Sequence, residues 1–526
     1  MILIWLIVIP TGAGLLGWLL ARLHPGFARW IALLALAANL ALALSLLTRY
    51  GAQLTAPPGG PWLVEIKHAW IPQLGIDFHL AMDGLSLVLV LLTAFVGMTA
   101  VGCAWKEIKE RVGFFYFNLL WVLAGMTGVF LALNLFLFYF FWEMMLVPMF
   151  FIIVLWGDEN RIYAGLKFFL FTQISGLLML FAIIGLYFVH GHNTGVYTFD
   201  YRQLLETSMS VTTAMWLMLG FLAAFLVKLP AVPLHSWLPD AYTAAPTAGS
   251  VVLAGLMAKT GAYGLLRFVV PLFSRAAFDF APVAMLMAII GILYGALLAF
   301  SQTDFKRLVA YTSISHMGFV LLGVFAWNQL ALQGVVLQIL SHGVSTGALF
   351  ILAGAVQART NTRDLRQMGG LWAVMPRMGG VAMFFALAAM GLPGMGNFLG
   401  EFLVLFGTFR ANILASILAT LVLITATIYA LWMIQAVFHG PQKKIRKVAD
   451  LSGREAVVTG AMILAILWFG LYPQPVLKTT APALKHLEQT VDKRLFAARP
   501  PQKGIVLPET RTRLPAQPVR PKGGKL

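Results

Sequence analysis

Apolar runs of about 20 residues recur along the whole chain, and each can cross a hydrocarbon core about 30 Å thick. Lipid offers the backbone no partner, so such runs must fold as helices that bond their own polar groups. Composition agrees: 60% of the 526 residues are hydrophobic and 11% are charged, against about 25% charged in a soluble domain. The chain reads as an all-α polytopic membrane protein. The first span is the run Met1–Leu20, an uncleaved helix because no charge precedes it and Arg22 and Arg29 follow. Further spans are expected at 29–48, 80–104, 113–131, 134–156, 163–189, 213–235, 249–270, 281–300, 307–326, 331–356, 378–402, 411–438 and 455–472. With the first, these make about fourteen.

The net charge of +17 would suggest nucleic-acid binding in a soluble protein, but here it reports topology. Alternate loops, beginning with 21–28, carry 18 of the 37 lysines and arginines. Among them are Lys106, Lys109, Arg111, Arg359, Arg363, Arg366, Arg377, Lys443, Lys444, Arg446 and Lys447. The opposite loops carry Arg49, Lys67, Arg202, Arg275 and Arg410. This bias places the first set in the cytoplasm and the N-terminus outside. The stretch 476–526 reads as a basic, disordered tail; by parity it lies outside, against the rule.

Within the spans, Phe225–Lys259 stands out: FLVKLPAVPLHSWLPDAYTAAPTAGSVVLAGLMAK. Lys228 interrupts one apolar run, Pro230 and Pro233 break it, and Lys259 interrupts the next. A lysine at the centre of a lipid-facing helix costs roughly 2.5–3.5 kcal/mol on insertion scales. Broken backbone at that depth is tolerated only inside protein or beside a water-filled cavity. Both features point to a wet, protein-lined ion path. Arg267, near a helix end, is expected to reach the interface by snorkelling.

The layout also repeats. Residues 1–112 hold helices one to three, 113–270 and 281–438 hold five helices each, and 439–475 hold the last. An odd number of helices per repeat makes the repeats inverted, as in many transporters. The fourth helix of each group is broken, at Lys228–Pro233 and at Gly391–Gly396, and Glu401 follows the second break. The second helix of each group carries Glu143 in one and His316 in the other.

These residues define the candidate chemistry. Glu143 is either a protonated carboxyl bonded to a neighbouring helix or a carboxylate that tunes Lys228. Burial disfavours a lysine's charge, so Lys228 and Lys259 are candidates for proton exchange. His316 and His342 are either packing groups or, since histidine ordinarily titrates at about 6.5, relays between lysine and carboxylate. His235, seven residues after Lys228, is weaker because the break spoils helical phase. Glu401 closes the row. A metal site is a poor alternative, since no two of these residues have ligand spacing on a helix. The single cysteine, Cys103, allows neither an internal disulfide nor a thiolate-bound iron–sulfur cluster. The sequence shows no dinucleotide glycine motif after a strand, no P-loop and no HExxH.

The segment VKLPAVPLHSWLPDAYTAAPTAGSVVLAGLMAKTGAYGLLRF resembles the signature of the antiporter-like subunits of respiratory complex I, NADH-quinone oxidoreductase. FYFFWEMMLVPMF, SQTDFKRLVAYTSISHMGF and GLPGMGNFLGEF carry the same resemblance, which covers roughly residues 1–475. It implies fourteen helices, inverted five-helix repeats and a proton path along the membrane midplane. It implies that Glu143 and Lys228 form a coupling pair, that Lys259 is the connecting lysine, and that His316 and His342 continue the relay. It further implies no cofactor in this chain, with NADH, FMN, iron–sulfur clusters and quinone on partner subunits. Neighbouring antiporter-like subunits would be its partners and a bacterial plasma membrane its location. The family's last broken helix usually holds a lysine, so the glutamate at 401 resembles one paralogue; the lack of a long lateral helix agrees. A multisubunit sodium/proton antiporter or a membrane-bound hydrogenase is the alternative within the family. A purely structural membrane scaffold is the alternative outside it.

Overall fold

The computed structural model describes residues 1–50, 61–441 and 448–496. Among them, thirteen helices are long and apolar enough to cross a membrane. A fourteenth crossing is split into Pro376–Ala389 and Gly396–Ala411. The two helices at the centre, Thr247–Leu272 and Gln329–Thr360, have apolar windows that are 100% buried; the peripheral helix Arg161–Thr194 has 39%. In lipid, helices associate by close packing of small residues rather than by a hydrophobic drive. Accordingly, Gln329–Thr360 meets Gly396–Ala411 along glycines: a Cβ on Gly407 would lie 2.5 Å from Ala331 N, and one on Gly400 would lie 2.7 Å from Gln338 N.

Both breaks re-satisfy the backbone groups they free. Helix Val211–Lys228 ends on Lys228 itself, so the ammonium sits at the negative end of the helix dipole. Beyond it Leu229 N donates to Phe225 O at 2.8 Å and Ala231 N to Leu226 O at 2.9 Å. Trp237 Nε1 takes Val227 O at 3.0 Å. The second break turns on Gly391 (φ 79) and Gly394 (φ 92), conformations that favour glycine. Here Leu392 N reaches back to Leu387 O at 3.1 Å.

The all-α fold holds, with one addition and two corrections. First, a small two-stranded sheet accompanies the helices. Val64–Ile71 and Ile76–Met82 form an antiparallel hairpin between the second and third spans. His79 pins it: Nδ1 lies 2.9 Å from Asp200 Oδ2 and Nε2 lies 2.8 Å from Glu65 Oε1. Lys67 bonds Asp200 at 2.8 Å and Arg202 bonds Glu65 at 2.6 Å. Burial alone would raise the Asp200 carboxyl, but hydrogen bonds from His79 and Lys67, with their charges, hold it well below the usual carboxylate range.

Second, Arg267 does not snorkel. It is 8% exposed and turns inward to Asp83, with Nε on Tyr263 Oη at 3.2 Å. Asp83 also caps the third span, its Oδ1 accepting from Ser86 N at 2.8 Å. A side chain with a buried carboxylate within reach has no need of the interface.

Third, the stretch from 476 is not structureless throughout. Gln474–Phe496 is a helix. It lies so close to the third span that a Cβ on Gly84 would be 1.7 Å from Thr479 O. Arg494 donates to Pro271 O at 3.0 Å and Leu272 O at 2.9 Å, capping the end of the central helix. The rest of the expected tail, from 497, and the basic loop residues Lys443, Lys444, Arg446 and Lys447 lie outside the described residues.

The hairpin clasp gives a pH expectation. Asp200 is depressed, so its contribution is complete above about pH 4 and is lost only as pH falls further, through the folded-state value. Amide exchange across 64–82, once corrected for its intrinsic pH dependence, should therefore be alike at pH 7 and pH 5. Asp200→Asn should speed it about tenfold, the worth of one charge-assisted bond. Exchange mass spectrometry on the purified protein checks both.

Candidate functional site

Four of the sequence-selected residues, Lys259, His316, His342 and Glu401, come together, each from a different helix. Glu143 is the penultimate residue of Leu135–Met144, just before that span is interrupted at Met145. Its carboxyl is half-buried, and Oε1 has no hydrogen-bond partner. It faces Gly176, where a Cβ would lie 2.5 Å from Oε1. Any larger residue at 176 would displace the carboxyl.

Lys228 is 1% exposed. Its Nζ lies 5.2 Å from the Phe168 ring centre and 5.6 Å from that of Trp142, and 3.5 Å from Met257 Sδ. No ion pair joins it to Glu143 among the described residues, although the two are near enough to interact by charge. The expected coupling pair is thus separated in this structure. An aromatic cage holds the lysine and leaves the carboxylate at the rim.

Lys259 owes its place to a local defect. Leu253–Met257 forms a π-turn, a feature common at functional sites because it redirects backbone groups. Lys259 Nζ donates to the Ala254 carbonyl in this turn and lies 2.7 Å from His342 Nδ1. The ring centres of His342 and His316 are 5.4 Å apart. His316 Nδ1 lies 2.8 Å from Glu401 Oε1. Lys259, His342, His316 and Glu401 are all buried. They form a row of exchangeable protons across four helices.

The row does not include His235. That ring packs edge-on against Tyr294 at 5.3 Å, beyond the first break, and its Nδ1 has no partner. Gln338, Ser341 and Asn397 belong to the row's surroundings but escape a search for charge. All three are fully buried, and Gln338 Nε2 donates to Glu401 Oε1 at 3.0 Å. The signal that finds the first two is periodic: Gln338, Ser341, His342 and Ser345 sit at i, i+3, i+4 and i+7, a polar stripe on an apolar helix.

Fourteen crossings, two of them broken, around a buried row of lysine, histidine and carboxylate define an antiporter-like ion-translocating membrane subunit. A sequence model described as "NADH:quinone oxidoreductase/Mrp antiporter, TM" matches residues 132–428. The chain belongs to that family. NADH-quinone oxidoreductase subunit M of Pseudomonas aeruginosa is 53% identical over 498 residues, covering 93% of this chain and 98% of the relative. A chain of respiratory complex I from Thermus thermophilus with bound NADH superposes with TM-score 0.82 at 30% identity, covering 94% and 99%. A chain of the Mrp complex from Dietzia gives TM-score 0.78 at 20% identity over 92% and 98%, a likeness of fold.

Caged by aromatics and not ion-paired, Lys228 contributes little to stability that an apolar residue would not. Replacing a buried charge by a well-packed apolar group is often neutral or stabilising by about 1–4 kcal/mol. Lys228→Met should therefore melt no lower than wild type, by scanning fluorimetry of the purified assembly.

Proposed function

We propose that this chain is the proton-translocating membrane subunit of an NADH-quinone oxidoreductase, of the subunit M kind. Redox chemistry on partner subunits drives it, and NADH, flavin, iron–sulfur clusters and quinone are handled there. The observation that carries this reading is the unbroken contact from Lys259 through His342 and His316 to Glu401.

The hydrogen-bond partners support one direction of proton movement along it. His342 Nδ1 accepts from the Lys259 ammonium, so its own proton is on Nε2. His316 Nδ1 faces a carboxylate and must donate, so its Nε2 is the acceptor. Neither Nε2 has a protein partner. A donor and an acceptor thus stand ready on neighbouring rings. Lys259 loads His342 at Nδ1, His342 passes its Nε2 proton to His316 Nε2, and His316 gives its Nδ1 proton to Glu401.

Upstream, the row is interrupted at Met257, whose thioether carries no proton. Lys228 must exchange with Lys259 past that sulfur, and the charge of Glu143 sets when. With Glu143 close, Lys228 keeps its proton; with Glu143 withdrawn or neutral, Lys228 releases it. The aromatic cage of Lys228, with no ion pair to Glu143 among the described residues, supports a withdrawn arrangement.

The flanks fit a multisubunit assembly. At the second break Pro393 is exposed and Gly391, Leu392 and Gly394 are half-buried. Irregular backbone is not tolerated against lipid. Another membrane subunit on that flank would cover it, and one on the opposite flank would meet the half-open Glu143. We place the chain in a bacterial plasma membrane with the basic loops in the cytoplasm.

Glu143→Ala and Lys228→Ala should each assemble yet lose NADH-driven proton pumping and much of the coupled quinone reduction in proteoliposomes. Normal pumping in both would overturn the reading. Detergent-stable assembly on native gels separates lost pumping from lost folding.

A further inference from the structure

The relay described above uses only titratable side chains. Gln338 is not one, yet it is completely buried and touches the last two members of the row. Its Nε2 donates to Glu401 Oε1 at 3.0 Å and lies 3.5 Å from His316 Nδ1. Glu401 Oε1 therefore receives two donors, the histidine and the amide. The orientation of the amide follows from charge: turned over, it would set its oxygen against the carboxylate.

The other side of the amide is equally constrained. Gln338 Oε1 has no protein partner and faces Gly400, where a Cβ would lie 2.7 Å away. Only glycine leaves room for it. The second carboxylate oxygen, Oε2, accepts no hydrogen bond among the described residues and faces the helix break at Gly391, where a Cβ would lie 3.3 Å away. The two oxygens of Glu401 thus see different surroundings, one the relay and the other the break.

We propose that Gln338 is the positioning residue of Glu401, holding Oε1 to receive the proton from His316 while Oε2 stays turned to the break for release. This rests on the relay reading. His316 takes a proton on Nε2 and becomes imidazolium. Its Nδ1–H bond breaks as the Oε1–H bond of Glu401 forms, leaving a neutral imidazole and a neutral carboxyl. The neutral carboxyl, to which the amide bonds less strongly than to a carboxylate, rotates to carry the proton to the break side and loses it there; one proton has moved, and His316 keeps the proton it took on Nε2 until its ring returns to the starting tautomer. Without the amide, the carboxylate is free to rotate about its side-chain torsions, and loading and release are no longer assigned to opposite sides.

The test uses the intact complex in proteoliposomes, with pumping per NADH oxidised measured from pH 5.5 to pH 8.5. Gln338→Leu should lower pumping about tenfold, the worth of one hydrogen bond to a charged group, and shift the pH profile. A mere packing defect would lower pumping equally at every pH. Gln338→Glu should fail at high pH and recover as pH falls, because two adjacent carboxyls then share a proton and the protonated one can donate. Glu401→Ala is the parallel variant and should abolish pumping. If Gln338→Leu keeps the wild-type rate and profile while Glu401→Ala fails, the positioning role falls and the relay stands. If Glu401→Ala also pumps normally, both fall.

Discussion

Everything in this structure answers to one constraint: no water is available in a hydrocarbon core, so each polar group placed there must find a partner in the protein. The solutions differ in kind. At the first break, indole and amide donors take up the freed carbonyls. In the central helix, a π-turn exposes the Ala254 carbonyl and Lys259 takes it. Arg267 turns away from the interface to meet Asp83. Burying polar groups so deeply requires helices covered on every side. Hence the row of candidate residues is concentrated around the two helices whose apolar windows are wholly enclosed.

Much of this was legible in the sequence because the signals are large. A run of 20 apolar residues has few folds open to it, and a proline-broken run with a lysine inside has fewer still. The residue row at 228, 259, 316, 342 and 401 came from the rarity of charge at that depth. What was missed is what rarity cannot flag. Gln338, Ser341 and Asn397 carry no charge. The hairpin alternates weakly and lies in a loop between spans. Arg267 was read from its distance to a helix end, while its partner Asp83 is distant in sequence. The helix Gln474–Phe496 is rich in lysine and proline, so composition argued against order. Its order comes from tertiary contacts, Arg494 on the Pro271 and Leu272 carbonyls and Thr479 against Gly84. His235 failed for the opposite reason: it is a titratable residue near a break, but the break carries it out of the row.

The two lysines show how one chemistry can be held in two ways. Lys259 has directed partners, a carbonyl and an imidazole nitrogen. Lys228 has a polarisable sulfur and two ring faces, which attract a cation without fixing where its protons point. A directed hold suits a relay station, whose task is to pass a proton along one line. An undirected hold suits a switch, whose proton must be retained or released according to a charge that moves. The position of Glu143, half-buried with one oxygen unpartnered, is consistent with a carboxylate that has more than one place to sit.

It follows that control of the row belongs at its Lys228 end. From Lys259 to Glu401, neighbouring groups are hydrogen-bonded except between the two histidine rings, whose Nε2 atoms do not bond each other among the described residues. Beside Lys228 lies the thioether of Met257, 3.5 Å from Nζ, which can neither give nor take a proton. In the proposed path the weakest link would lie at that end, near Glu143, whose Oε1 has no partner among the described residues. Moving Glu143 toward or away from the cage changes the charge on Lys228 without disturbing the tightly bonded half. The downstream row can therefore stay preorganised while the upstream pair changes state, and slow redox events on partner subunits need to reset only one carboxylate.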